Sequence, residues 1–287
     1  MKPVDFGLTV AAGTAEAAAL LADDALDARI IAGGQSLGPM LNLRLARPAH
    51  LVDIGRATDL RGVTDEGAAL LYGAAVTHAE VEDGVVPDAT PGWLRAVASR
   101  IAYRAVRNRG TLGGSLVHAD PAADWVVTLT ALGAEAVISG QAISGQGSSR
   151  VEPLSAFICG PFVTTLRPGE ILTGIRVRKR TEAARWCYWK FTRKAGEFAK
   201  ASAAVLIDPL AGETRIVAGA IEMPPVALPD PQAVLDGRLD VEEALRRALP
   251  GRPASSLKFH AVAVARAIEM AKGTDTAGAA PRQGAVR

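Results

Sequence analysis

Only two cysteines, Cys159 and Cys187, occur in 287 residues. That is too few for a disulfide framework or a four-thiolate iron–sulfur site. It fits a reducing compartment, where free thiols pack as small apolar groups. The four histidines (His50, His78, His118 and His260) stand at ligand spacing neither from one another nor from a cysteine, which argues against zinc. Aromatic residues make up 5%, and 32 basic residues against 30 acidic ones give a net charge of +2. Nucleic-acid binding needs concentrated basic charge and stacking platforms, and both are missing. No apolar run approaches the length of a membrane span. The segment "LTVAAGTAEAAALLA" is preceded by Asp5 and interrupted by Glu16, with Lys2 alone upstream, so it does not read as a signal peptide. The expectation is a cytoplasmic globular protein, and 49% hydrophobic residues suffice for a sizeable core.

The chain punctuates itself clearly. Thr14 is placed to cap a helix running to about Leu21, and residues 29–32 and 50–54 read as strands. "ALLYGAAV" reads as a strand, after which Thr90-Pro91 opens a helix with Trp93, Val97 and Ile101 on one face. Asp120-Pro121 reads as cap and first residue of a helix ending at Gly133. Strands are expected at "EILTGIRV", "CYWKFT", "SAAVLI" and "TRIVAGAI", the last two antiparallel. "MPPVALPDP" should break the strand, and the helices "VEEALRRAL" and "LKFHAVAVARAIEMAK" should follow, with a disordered tail from Gly273. The four tryptophans read as core or interface, His118 as a solvent-facing loop residue, and "RKRTEAAR" as a solvated connection or subunit contact. The expected class is α+β: a small, partly parallel sheet (about 1–56), a larger mixed or antiparallel sheet with helices (57–177), and a C-terminal part (178–287) of antiparallel strands and a few helices.

One local pattern occurs twice. "AGGQSL" at residues 32–37 is echoed by "LGGSLV" at 112–117. Neither is a P-loop, for no Gly-Lys-Ser/Thr follows, and adjacent glycines do not make the dinucleotide fingerprint. Adjacent glycines let successive backbone N–H groups converge on one point, and Ser36, Thr111 and Ser115 add hydroxyls. Two such loops would satisfy a diphosphate without lysine or metal. The competing reading is two ordinary turns in a chain with 29 glycines.

Together, "AGGQSLGPMLNLRLARPAHLVDI" and "RNRGTLGGSLVHADPAADW" resemble the two flavin motifs of the FAD-binding medium subunit of molybdenum hydroxylases, the xanthine dehydrogenase and carbon monoxide dehydrogenase family. The resemblance continues through "LRPGEILTGIRV" and "YWKFTRKAGEFAKASAAV" and implies an FAD-binding domain over 1–177. It implies that Ala32, Gly33, Gly34, Gln35, Ser36 and Leu37 form the first diphosphate loop, and Thr111, Gly113, Gly114 and Ser115 the second. Ser115 stands where the family usually has Asn. Asp120 and Asp124 match acidic cofactor positions, although either also suits a helix start. Lys190 matches a lysine near the flavin ring, and Leu172 an apolar residue covering it or, equally, a core leucine. Phe198 falls where relatives often carry Tyr.

The family's reaction also uses a molybdenum cofactor and two [2Fe–2S] clusters, which two cysteines could not hold. The resemblance therefore implies a large molybdenum subunit and a small iron–sulfur subunit as partners, as a dimer of heterotrimers. This chain would pass electrons to an external acceptor, with no catalytic side chain and no metal ligand of its own. Two alternatives remain at this level: a standalone flavoprotein oxidase of the vanillyl-alcohol oxidase type, and a non-enzymatic nucleotide-binding module.

Overall fold

A computed structural model describes residues 2–141 and 147–273. Strands β1 (Gly7–Val10), β2 (Ala28–Ile31) and β3 (His50–Asp53) form a parallel sheet in the order β1-β3-β2. Parallel neighbours need crossover connections, and helices Thr14–Ala22 and Leu37–Asn42 supply them. Leu51 and Val52 of the central strand are buried, and Val52 packs with Ala17 and Ala18 of the first helix. Thr14 is the first helical residue and not the cap. Gly13 takes the cap position, while the Thr14 N–H donates to the Asp59 carboxylate at 2.9 Å.

The second sheet joins β4 (Val63–Asp65), β5 (Ala69–Gly73), β6 (Glu135–Gln141), β7 (Gly147–Pro153) and, after the short pair β8 (Ile158–Gly160) and β9 (Val163–Thr164), β10 (Glu170–Arg178). Its order is β4-β5-β10-β6-β7, antiparallel throughout. The β10–β6 register shifts between Leu172 and Gly174, a bulge of the kind that re-aims side chains beside a site. The third sheet is β11 (Arg185–Phe191), β12 (Ala201–Asp208), β13 (Glu213–Gly219) and β14 (Val226–Ala227), also antiparallel.

Both faces of the third sheet are covered. Tyr188, Ala204, Leu206 and Val217 share a core with Trp125, Val126 and Val127 of helix Asp124–Ala131. Cys187, Val205, Ile207 and Ile216 point the other way, into a core with Leu257, Val264 and Ile268 of helix Ala254–Gly273. This explains why β12 reads as a continuous apolar run and not as an alternating one. Trp93 and Trp125 are fully buried, and Trp186 stacks on Trp93 at 5.6 Å.

Several local expectations change. The helix expected from Pro121 begins at Asp124, with Ala123 in the cap position. Asp120 instead accepts the Ala122 N–H at 2.9 Å, a local turn that reverses the chain between two packed helices. The helix opened near Pro91 ends at Ala98, so Ile101 lies beyond it; Thr90 Oγ1 does accept the N–H groups of Trp93 and Leu94. Val226–Ala227 forms a two-residue edge strand inside "MPPVALPDP", which places the prolines just outside the paired residues. In "RKRTEAAR", Arg180 is no solvated residue. Its side chain is 3% exposed, pairs with Glu213 and donates to the Leu132 carbonyl. The C-terminal helix reaches Gly273, and the rest of the expected disordered tail lies outside the described residues. No helix among the described residues is long and apolar enough to cross a membrane.

Candidate functional site

Strand β2 runs straight into Gly33-Gly34, and the chain there meets the second glycine segment. A Cβ on Gly33 would lie 1.9 Å from the Arg109 carbonyl oxygen and 2.9 Å from Gly110 Cα. Two segments far apart in sequence thus touch backbone to backbone, which only glycine permits. Gly34 has φ +70°, the left-handed region, which swings the following peptides into a tight turn ahead of helix Leu37–Asn42. Among the described residues, nothing accepts a hydrogen bond from the backbone N–H groups of Gly33 to Leu37. The Gln35 side-chain amide folds back onto the Gly33 carbonyl at 3.1 Å.

The second motif is built differently. Gly113 and Gly114 lie in the first turn of helix Leu112–His118, which Thr111 caps. Its backbone donors are spent internally: Leu112 on Val76 O, Gly113 on Ala74 O, Gly114 on Thr111 Oγ1 and Ser115 on Thr111 O. Of the two segments expected to match, only the first keeps its backbone N–H groups unspent. Gly113 is a packing glycine, since a Cβ would come within 2.5 Å of Ala74 Cβ. Gly114 is exposed, and the near neighbour of its would-be Cβ is Thr111 Oγ1 at 2.8 Å. What this segment offers outward is a bare glycine surface and the hydroxyls of Thr111 and Ser115.

Both motifs line one cleft of about 390 Å³. Ala32, Gly33, Gly34, Gln35, Ser36 and Leu37 form one wall, and Thr111, Gly113, Gly114 and Ser115 another. Asp120, Asp124, Leu172 and Phe198 also line it. Leu172 is buried beside the β10 bulge, whereas Phe198 is 60% exposed at the rim. The segment carrying Phe198 is anchored by Tyr103, whose hydroxyl donates to Ala195 O at 3.0 Å while its ring lies beneath Gly196.

Lys190 is not on the wall. Its Nζ donates to Asp124 Oδ1 at 2.6 Å and to Arg100 O at 3.0 Å, and both charged side chains are 8% exposed. β11 thus supports the cleft from behind, through Asp124. The buried Tyr188 hydroxyl lies near the same carboxylate, and burial pushes its ionisation well up.

The cleft also holds residues that the motif reading did not assign to the cofactor. His118 is the last residue of helix Leu112–His118, half-buried and tilted against Phe162 at 5.2 Å, so it is no loop residue in solvent. Burial lowers its pKa, opposed by Asp120. His78 opens helix His78–Glu82, and burial together with Arg107 lowers its pKa to about 4. Thr77-x-x-Glu80 was a readable capping signal for that helix, but nothing in sequence aimed His78 at the glycine loops. Arg29, Ile101, Ala102 and Glu170 complete parts of the wall.

Chemically, this cleft pairs unspent N–H donors at a helix start with hydroxyls, and flanks them with apolar side chains such as Ile31, Ile101, Ile171 and Leu172. That donor set suits an anionic diphosphate, and the apolar stretch suits a flat ring system. No cluster of metal-ligating side chains occurs among the described residues. The cleft thus suits a dinucleotide that carries a flat ring.

The particular family follows from comparison. Residues 4–178 match the family described as FAD binding domain in molybdopterin dehydrogenase, and the chain belongs to it. It is 37% identical over 207 residues to the 6-hydroxypseudooxynicotine dehydrogenase complex subunit alpha of Paenarthrobacter nicotinovorans, covering 72% of this chain and 68% of that one. It is 35% identical to the carbon monoxide dehydrogenase medium chain of Hydrogenophaga pseudoflava, covering 72% and 70%. Among solved structures, the carbon monoxide dehydrogenase of Hydrogenophaga pseudoflava that lacks the Mo-pyranopterin moiety superposes with a TM-score of 0.82 at 29% identity, over 95% of this chain and 99% of that one. The chain is an FAD-binding medium subunit of the molybdenum hydroxylase type, an oxidoreductase component.

Proposed function

We propose that this chain holds FAD in the cleft between its glycine motifs and relays electrons from a partner iron–sulfur subunit to an external acceptor. The other partner is a large subunit carrying the molybdenum cofactor, with the whole as a dimer of heterotrimers. The observation that carries the reading is the backbone contact of Gly33 with Arg109 and Gly110, which makes one cleft of two distant motifs. Bound flavin supplies the redox chemistry.

The residues of the chain bind and orient. The N–H groups of Gly33 to Leu37 donate to the diphosphate, and the Thr111 and Ser115 hydroxyls donate from the opposite wall. Ser115 thus gives a hydroxyl where relatives usually offer an amide. Asp120 and Asp124 accept from sugar or ribityl hydroxyls. Lys190 acts through Asp124, fixing the position of that carboxylate. Leu172 covers the ring from the β10 bulge and excludes water, and Phe198 closes the rim with a ring face but no hydroxyl. On this reading residues 1–177 form the FAD-binding domain, in parts of about 1–56 and 57–177, and residues 178–287 form the C-terminal domain.

Titrating the purified 287-residue chain with FAD should give one flavin per chain. Reduced iron–sulfur partner should then bleach the flavin absorbance, and the large subunit's substrate should do so only in the full assembly. A Gly34→Val, Gly114→Val double variant should lose the flavin; full retention would refute the two-wall site.

A further inference from the structure

His78 begins the helix that Thr77 and Glu80 close with a reciprocal capping box. That cap and the 2.9 Å bond from the His78 N–H to Gly110 O hold its backbone against the second glycine segment. The side chain is 5% exposed and lines the cleft. Its Nδ1 accepts a hydrogen bond from Trp125 Nε1 at 3.0 Å. An indole N–H can only donate, so Nδ1 carries no proton, and the neutral ring bears its proton on Nε2.

Nε2 has no hydrogen-bond partner among the described residues. The ring also dictates what may stand above it: a Cβ at Gly110 would lie 2.8 Å from Nε2. Gly110 is in turn one of the backbone contacts of Gly33. His78 Nε2 therefore lies under the junction of the two motifs, a nearly buried donor beside a ligand cleft. A ligand acceptor in the cleft would give this donor a fixed partner.

We infer that His78 donates its Nε2–H to an acceptor atom of the bound FAD at the Gly33–Gly110 junction, with Trp125 as the positioning residue that fixes the tautomer. This rests on the FAD reading above. Burial and the Arg107 charge hold the imidazole pKa near 4, so the donor is uncharged at neutral pH and adds hydrogen bonding without adding charge. Trp125 lies in the core behind the cleft and acts only through the ring.

The test uses the full chain labelled with ¹⁵N-histidine, titrated with FAD and with FMN. FAD should shift the His78 Nε2–H resonance and slow its exchange with water, while Nδ1 stays unprotonated. His78→Phe should weaken FAD binding about tenfold, the usual worth of one such bond. His78→Gln, which keeps an N–H donor, should fall between. Trp125→Phe should weaken binding less and broaden the Nε2–H signal as the second tautomer becomes populated. Wild-type uptake of FAD with an unmoved Nε2–H resonance would overturn the inference while leaving the FAD site intact. Folded His78→Phe with wild-type affinity would do the same. If the wild-type chain takes up no FAD, the underlying site reading fails and this one falls with it. Should His78→Phe not fold, the wild-type resonance alone decides.

Discussion

Gly33→Ala offers the sharpest test of how this cleft is made. The added Cβ would sit 1.9 Å from the Arg109 carbonyl oxygen, where real contacts stay above 3.0 Å, and the obstacle is backbone that no rotamer change can relieve. The two segments must separate by roughly 1 Å, and overpacking of this kind typically costs about 1–3 kcal/mol of stability. The larger effect falls on the ligand. The N–H groups that follow Gly33 lose their common aim, and hydrogen bonds to charged oxygens are worth about 1.5–3 kcal/mol each. Losing two weakens FAD binding by at least about 100-fold. Fluorescence quenching of FAD by the purified chain reads the affinity, and a melt of the apo chain reads the stability. Gly38→Ala is the control: it lies one residue into helix Leu37–Asn42, with nothing within 4 Å of its would-be Cβ. There alanine should be neutral or stabilising by up to about 1 kcal/mol, through helix propensity. If Gly33→Ala bound FAD within about threefold of wild type, a difference below 1 kcal/mol, the argument from loop contact would be wrong.

Two further outcomes follow from buried charge. Lys190→Ala leaves the Asp124 carboxylate buried without its cation and should cost about 3–5 kcal/mol in urea unfolding, and a double-mutant cycle with Asp124→Asn showing no coupling would contradict this. His78, lowered to about 4 from an ordinary 6.5, binds fewer protons folded than unfolded. Stability should therefore fall as pH drops from about 6.5 to about 4, by roughly 3 kcal/mol over that window. His78→Gln should flatten that part of the pH profile, and an unchanged slope would show that the depression comes from other groups.

The parts of this protein legible in sequence were those governed by short-range physics. Strand runs such as "RIIA" and "HLVDI" are visible because β-branched and apolar residues are bounded by glycine and polar turns. The C-terminal helices are visible because capping and 3.6-residue periodicity act within a few residues. Boundaries failed where a neighbour intervened. Asp120 looked like a cap until its local turn with Ala122 proved the better use of the carboxylate. Arg180 looked solvated because nothing in "RKRTEAAR" announces Glu213 and the Leu132 carbonyl.

The two glycine motifs show where the division lies. By itself the sequence determined that two Gly-Gly segments with adjacent hydroxyls exist, that this chain has too few thiolates for iron–sulfur clusters, and that it resembles a flavin subunit. Which glycine does what was decided in three dimensions. Gly33 yields to a distant carbonyl, Gly34 turns the chain, Gly113 packs on Ala74, and Gly114 alone leaves bare surface. The donors of the second segment were already spent on Val76, Ala74 and Thr111, so the two segments are not equivalent. Lys190 was drawn behind the wall by Asp124, and His78 was brought beneath Gly110 by Trp125. The reason is physical: a residue's type sets which bonds it can make, whereas the partner that claims each bond is chosen by long-range packing, which local sequence does not encode.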